Sequence, residues 1–334
     1  YDNGLADLKV NCTGVMTLGN HEFHCYDKHG HGEVDLRKGL QVSCDIFFYE
    51  LARRLGVDKV MDAARKMGFG AETGIDLPGE QSGFIPSREW KRQRFGIPWQ
   101  QGETLVNGIG QGYVLATPLQ LCTLAARLAS GKAVSPRIAR VVGGQWQPRP
   151  EAPPLPFSPE AFAVVRDGLF AVTNEAGGSA FGWRIMQPGF EMSGKTGTAQ
   201  VRRISKEERL SGVRHNDSLP WNLRDHAWFF AFAPSTQPRY ACVVFIEHGA
   251  LPSHPQVQMA RDIMLFAQKR DPLRYRTAYP GAAAAADPFE RQRTGQPADP
   301  NAPAPAAATD GTADGAAGQD AGSDTPDEPE GNPT

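Results

Sequence analysis

Lys195 sits in a stretch that admits two chemistries. Gly189 to Thr196, GFEMSGKT, satisfies G-x-x-x-x-G-K-T, the loop whose backbone amides cradle phosphates while its lysine reaches the terminal ones. In the other register Lys195-Thr196-Gly197 is a K-T-G followed by Thr198, which suits acyl transfer to a serine. A second constellation is Cys12, Cys25, His31 and Cys44, spaced C-x12-C-x5-H-x12-C. Three thiols and an imidazole can enclose a tetrahedral zinc ion. The spacing is unlike the C-x2-C knuckle, and a Cys12–Cys25 disulfide or separate buried thiols fit it as well. His24 and His29 are rival donors that read as exposed polar residues.

The elements around Lys195 separate its two readings. A phosphate loop needs a strand before its glycines and a helix after its threonine. Pro188 stands where the strand should run, and Gly197, Thr198 and Val201 after the lysine oppose a helix. Lys195 therefore belongs on an extended segment. Asp225 to Pro234 and Tyr240 to Gly249 form two β-rich runs joined by a short turn, a hairpin beside which the lysine segment makes a third antiparallel strand. The polar stretch Arg202 to Arg224 reads as a long loop over the site.

Helices are expected elsewhere. Thr117-Pro118-Leu119-Gln120 is a capping box with proline at the first helical position. Leu36, Leu40, Phe47, Leu51 and Leu55 predict a helix within Val34 to Leu55, around Ser43-Cys44-Asp45, and Ser158 to Val172 predicts another. Helices grouped around a late antiparallel sheet give an α+β fold. Cys122 and Cys242 lie in apolar runs and read as core thiols, and Trp90, Trp99 and Trp228 as packing residues. His226 opens a strand and reads as structural at least as readily as substrate-facing, and Gly108 to Gly112 reads as a turn shaping the floor of the site.

A net charge of -2 over 334 residues offers no basic stripe for nucleic acid. No apolar run reaches the roughly 18 residues of a membrane span, and five cysteines are too few for a disulfide scaffold. The chain opens on Tyr1 with neither an initiating Met nor a signal peptide, so it reads as a piece of something longer. Past about Gly281 it is Ala, Pro, Gly and Asp; residues 1–276 read as the folded body and 277–334 as a disordered acidic tail.

Taken together, Ser43-Cys44-Asp45, Thr73 to Glu80, Gly108 to Tyr113, Ala116 to Gln120 and Ser193 to Gln200 resemble the transpeptidase domain of class B penicillin-binding proteins. The likeness runs to about Gln268 and is strongest to the penicillin-binding protein 2 branch, the cell-elongation D,D-transpeptidases. It implies a penicillin-binding transpeptidase or serine β-lactamase-like fold. It also implies that Ser43 and Asp45 match the family's S-x-N or S-x-D pair, that Lys195 supplies positive charge, and that Thr196 and Thr198 bind the substrate carboxylate. Gly197 would let a peptide pair along the strand, and the Thr198 N–H would serve the oxyanion. The family's nucleophile begins an S-x-x-K, and none precedes Ser43 here, so the chain alone is expected not to acylate.

The resemblance also raises the zinc reading of Cys12, Cys25, His31 and Cys44, as a structural rather than a catalytic ion. The substrates implied are peptidoglycan stem peptides, with β-lactams as mimics. The implied partners are a SEDS-type glycosyltransferase and rod-complex scaffold proteins, in the periplasm, with a membrane anchor outside this sequence. A β-lactamase or β-lactam sensor, and a non-catalytic scaffold, are the alternatives.

Overall fold

Val34 to Leu55 does not form one helix. The computed structural model, which describes residues 1–139, 141–147, 151–202, 204–251 and 253–270, divides it into α1 (Leu36–Gln41) and α2 (Asp45–Leu55). The break is made by Ser43, whose φ of 54° lies in the left-handed region. That conformation costs a non-glycine residue on the order of 1–3 kcal/mol and ends any right-handed helix. Apolar spacing continues in register across the break, which is why periodicity alone shows no interruption.

Ahead of these helices runs a strap of short strands. β1 (Val10–Cys12) pairs with β4 (Gly32–Val34), and β2 (Val15–Leu18) with β3 (His21–His24), all antiparallel. Asp35 caps α1 through the Lys38 N–H at 2.8 Å. α3 (Val57–Lys66), α4 (Arg88–Phe95) and α5 (Gln101–Gly108) complete this helical side. α5 packs on α2, with Leu105 wholly buried beside Phe47 and Val34.

The expected capping box forms: Thr117 and Gln120 exchange bonds of 3.0 and 3.1 Å at the start of α6 (Pro118–Ser130), which ends at left-handed Gly131. β5 (Val141–Val142) and β6 (Gln145–Trp146) make a small ribbon before α7 (Pro159–Asn174), which Ser158 caps. β7 (Ser193–Ala199), β8 (His226–Ala233) and β9 (Tyr240–Ile246) form the antiparallel sheet in the order β7-β8-β9, with Lys195 opposite Phe230. Arg202 to Arg224 is more structured than a loop. It holds α8 (Lys206–Ser211) and two short 3-10 turns, Asn216–Ser218 and Trp221–Leu223. Ser205 caps α8 through the Glu208 N–H at 3.1 Å, which explains the helix within a polar stretch.

β8 is buried on both faces. Phe229, Ala231 and Ala233 pack against α7 and α9 (Pro255–Arg270), while Phe230 and Phe232 pack against α6 and α7. Each fully buried phenylalanine contributes roughly 1.5–3 kcal/mol, so the hairpin itself holds the sheet between helices. Among the described residues no helix is long and apolar enough to cross a membrane. The expected tail, 277–334, lies outside the described residues.

Lys91, only 1% exposed, pairs with Glu103 on the neighbouring helix, and the Gln100 N–H and Tyr113 hydroxyl donate to the same carboxylate at 2.7 and 3.1 Å. Glu103→Ala strands a buried ammonium and is expected to cost about 3–5 kcal/mol in urea unfolding. Adding Lys91→Met should recover most of that loss.

Candidate active site

The helix break and the sheet meet at one contact. Lys195 Nζ donates to Ser43 Oγ at 2.8 Å, and also to Thr196 O at 3.1 Å. The two residues are 152 positions apart in sequence. Burial lowers the Lys195 pKa to about 8, with the Asp45 charge opposing the fall. The side chain is therefore mostly an ammonium at neutral pH, able to donate to Ser43. Burial also raises the Asp45 carboxyl to about 6, helped by the Cys25 thiolate and opposed by the Tyr26 N–H that donates to it at 3.0 Å and by Lys195.

β7 has a free edge among the described strands, and Thr198 shows which way its backbone points. The Thr198 carbonyl accepts from Gln111 Nε2 at 2.6 Å, from outside the sheet. A strand residue sends its N–H and C=O to the same side, so the Thr198 N–H also faces that open edge. Thr196 Oγ1 lies 3.5 Å from Lys195 Nζ and 3.2 Å from Ser179 Oγ. Lys195 and Thr196 lie within a strand, as the residues flanking them indicated, and not in a phosphate loop.

Gly197 meets a different demand from the one expected. A Cβ built there would stand 1.9 Å from the indole of Trp228, its cross-strand partner. The missing side chain makes room for Trp228 from the sheet's own side, whatever approaches along the open edge. Trp90 and Trp99 are packing residues, in contact with the Tyr113 ring. His226 accepts from the His248 N–H at 2.8 Å, a strand-end structural role.

The strap brings the other constellation to the same place. One ligand atom from each of Cys12, Cys25, His31 and Cys44 lies within 4.8 Å of every other, and the three cysteines are buried. His31 Nδ1 is 3.7 Å from Cys12 Sγ and 3.5 Å from Cys25 Sγ. The edges of a tetrahedron built from zinc–sulfur bonds of about 2.3 Å and a zinc–nitrogen bond near 2.0 Å are roughly 3.5–3.8 Å, so the donor set fits such an ion. The Cys44 thiol donates to Cys25 and, with the backbone amides of Asp27 and the start of α2, holds the Cys25 thiol below the usual thiol range against the effect of burial. His24 and His29 lie outside the cluster.

Tyr26 was not legible as part of this site. Its hydroxyl donates to the Val42 carbonyl at 2.9 Å and lies 3.4 Å from His31 Nε2, which leaves Nδ1 turned toward the thiols. It thereby connects the cluster to the residue before Ser43. Arg37 was missed as well; its guanidinium spans Asp167 and Glu175 of α7 and its C-terminus, with bonds from 2.5 to 3.3 Å, and pins α1 in place. Neither has a motif, since their partners are distant in sequence.

The profile of the penicillin-binding protein transpeptidase domain matches residues 1–265. The chain belongs to that family. Within it, the chain is 34% identical over 257 residues to the peptidoglycan D,D-transpeptidase MrdA of Haemophilus influenzae, covering 75% of this chain and 39% of that protein. It is 35% identical over 230 residues to MrdA of Escherichia coli, covering 67% of this chain and 36% of the relative. The chain thus spans under two fifths of the length of these curated relatives. Among solved structures, penicillin-binding protein PBP2 of Helicobacter pylori in complex with MreC matches with a TM-score of 0.68 at 30% identity, over 79% of this chain and 45% of that one. PBP2 of Pseudomonas aeruginosa matches at 0.66 and 32%, over 79% and 56%. The α+β architecture expected from the sequence is that of this transpeptidase family.

Two outcomes follow from the geometry. Gly197→Ala is expected to lose about 1–3 kcal/mol by overpacking and to change the near-ultraviolet circular dichroism of Trp228. A free lysine titrates near 10.5, so between pH 8 and 10.5 the unfolded chain binds a proton that folded Lys195 does not. Stability should therefore rise with pH across that window in the wild type relative to Lys195→Met, measured by urea midpoints.

Proposed function

We propose that this chain carries the Lys195 and Ser43 half of a peptidoglycan D,D-transpeptidase site, which cross-links stem peptides through a serine acyl-enzyme. The observation that carries the reading is the 2.8 Å bond from the Lys195 ammonium to Ser43 at the open edge of β7. An ammonium donating to Ser43 Oγ makes that hydroxyl a better proton donor, suited to delivering a proton to the leaving amine when the peptide bond breaks. Lys195, Thr196 and Thr198 offer one charge and two hydroxyls to the terminal carboxylate of a stem ending in D-Ala-D-Ala. A peptide lying along β7 would place its carbonyl oxygen near the Thr198 N–H, and one such donor is worth about 2.7–4 kcal/mol in the transition state. Asp45, turned toward Tyr26, steadies the Ser43 turn and balances the charge of Lys195. β-Lactams would enter as acylating mimics of the same peptide.

The nucleophile motif S-x-x-K does not occur in the 334 residues, so the chain alone is expected to take no covalent label from a fluorescent penicillin. Protein expressed from the complete reading frame should take it stoichiometrically, and Lys195→Ala should slow labelling by at least about a hundredfold while leaving the fold intact. Labelling at the wild-type rate in that variant would sink the proposal. A periplasmic setting with an inner-membrane anchor and a SEDS-type glycosyltransferase partner belong to the same reading, and the solved complex of PBP2 with MreC supports partnership with rod-complex scaffold proteins.

Cys12, Cys25, His31 and Cys44 would hold a structural zinc ion, which fastens the strap to the start of α2 and supplies no Lewis acid to the reaction. Elemental analysis of protein purified without chelator should find one equivalent, and metal removal should lower the unfolding temperature. Metal-free protein with Cys12 and Cys25 joined as a disulfide would rule the ion out.

A further inference from the structure

Thr196 needs a fixed hydroxyl direction if it is to act beside Lys195, and the strand alone does not set one. The 3.2 Å contact with Ser179 Oγ supplies it from outside the sheet. Ser179 belongs to none of the motifs above; it lies in the turn after α7 and is half-buried. The Ser179 N–H donates to the Gln41 carbonyl at 3.1 Å, and Gln41 Nε2 returns a bond to the Ala176 carbonyl at 3.1 Å. The turn is thus stapled to the last residue of α1, two positions before Ser43. Gly178 permits the approach, because a Cβ there would stand 2.3 Å from the Ala171 carbonyl. One residue therefore touches both parts of the site: its backbone holds the helix end and its hydroxyl holds the strand.

We propose that Ser179 is a positioning residue for the acyl transfer, orienting the Thr196 hydroxyl between Lys195 and the cleft. The hydrogens allow an arrangement that serves this role. The Lys195 ammonium has three donors and no acceptor, and it reaches Ser43 Oγ, Thr196 O and Thr196 Oγ1. With Ser179 Oγ donating, Thr196 Oγ1 accepts from both Lys195 and Ser179, and its single proton is left for the substrate carboxylate. A side chain that holds Thr196 as an acceptor also favours the charged lysine, since a bond accepted from the ammonium stabilises it. The inference rests on the transpeptidase reading and adds a residue that the family motifs do not include.

The test uses protein expressed from the complete reading frame, with the second-order rate of acylation by a fluorescent penicillin followed from pH 6 to pH 10. Ser179→Ala is expected to slow acylation about tenfold and to move the alkaline limb, where the Lys195 ammonium is lost, to lower pH. Ser179→Thr, which keeps the hydroxyl, should return the rate to within about threefold of wild type and restore the limb. Unfolding temperatures of both variants check the fold. A Ser179→Ala protein with wild-type rate and profile would overturn the proposal. So would a slowed variant whose alkaline limb has not moved and which threonine does not rescue, because that pattern belongs to lost packing. If wild-type protein fails to acylate, the transpeptidase reading falls and takes this inference with it. If wild type acylates and Ser179→Ala behaves normally, only the role of Ser179 is lost.

Discussion

The bond between the Lys195 ammonium and the Ser43 hydroxyl is the point at which the helical side and the sheet become one site. It does not hold itself together. A hydrogen bond from a charged group contributes about 1.5–3 kcal/mol net, while the left-handed Ser43 backbone costs on the order of 1–3 kcal/mol. The two nearly cancel, so the geometry must be imposed by its surroundings. Those surroundings are Cys44, fully buried next to Ser43, the Arg37 bonds to α7, and the aromatic core that fixes β8 and therefore the register of Lys195.

The strap serves the same end from the other side. The buried thiols next to the start of α2 face one another, an imidazole and backbone amides. Tyr26 ties this group to Val42 and Asp45, so the arrangement of the thiols and the shape of the Ser43 turn are mechanically linked. α7 provides the third support. Its face packs into both cores of the sheet, its C-terminal turn reaches Thr196 through Ser179, and Gln41 ties that turn back to α1.

Much of the fold was legible because local rules agreed with the tertiary answer. The capping box at Thr117, the helix from Ser158 and the aromatic hairpin all signal through neighbours a few residues apart. The Ser43 break was not legible, because the apolar spacing of Leu36 to Leu55 carries no trace of one residue's φ. The helix in 206–211 was hidden by its polarity, and Ser179, Tyr26, Arg37 and the Lys91–Glu103 pair carry no short motif.

By itself the sequence determined which residue types could do chemistry: a lysine on an extended segment with threonines after it, a serine two residues before an aspartate, and a Cys3His set. Periodicity, caps and turn residues decide such things because they act over one or two turns of chain. Only the tertiary structure decided that Lys195 meets Ser43 across 152 positions, that Gly197 yields its space to Trp228, and that Ser179 closes the gap between helix and strand. Those contacts depend on how two buried faces of β8 and both ends of α7 pack at once, which no short stretch of sequence encodes.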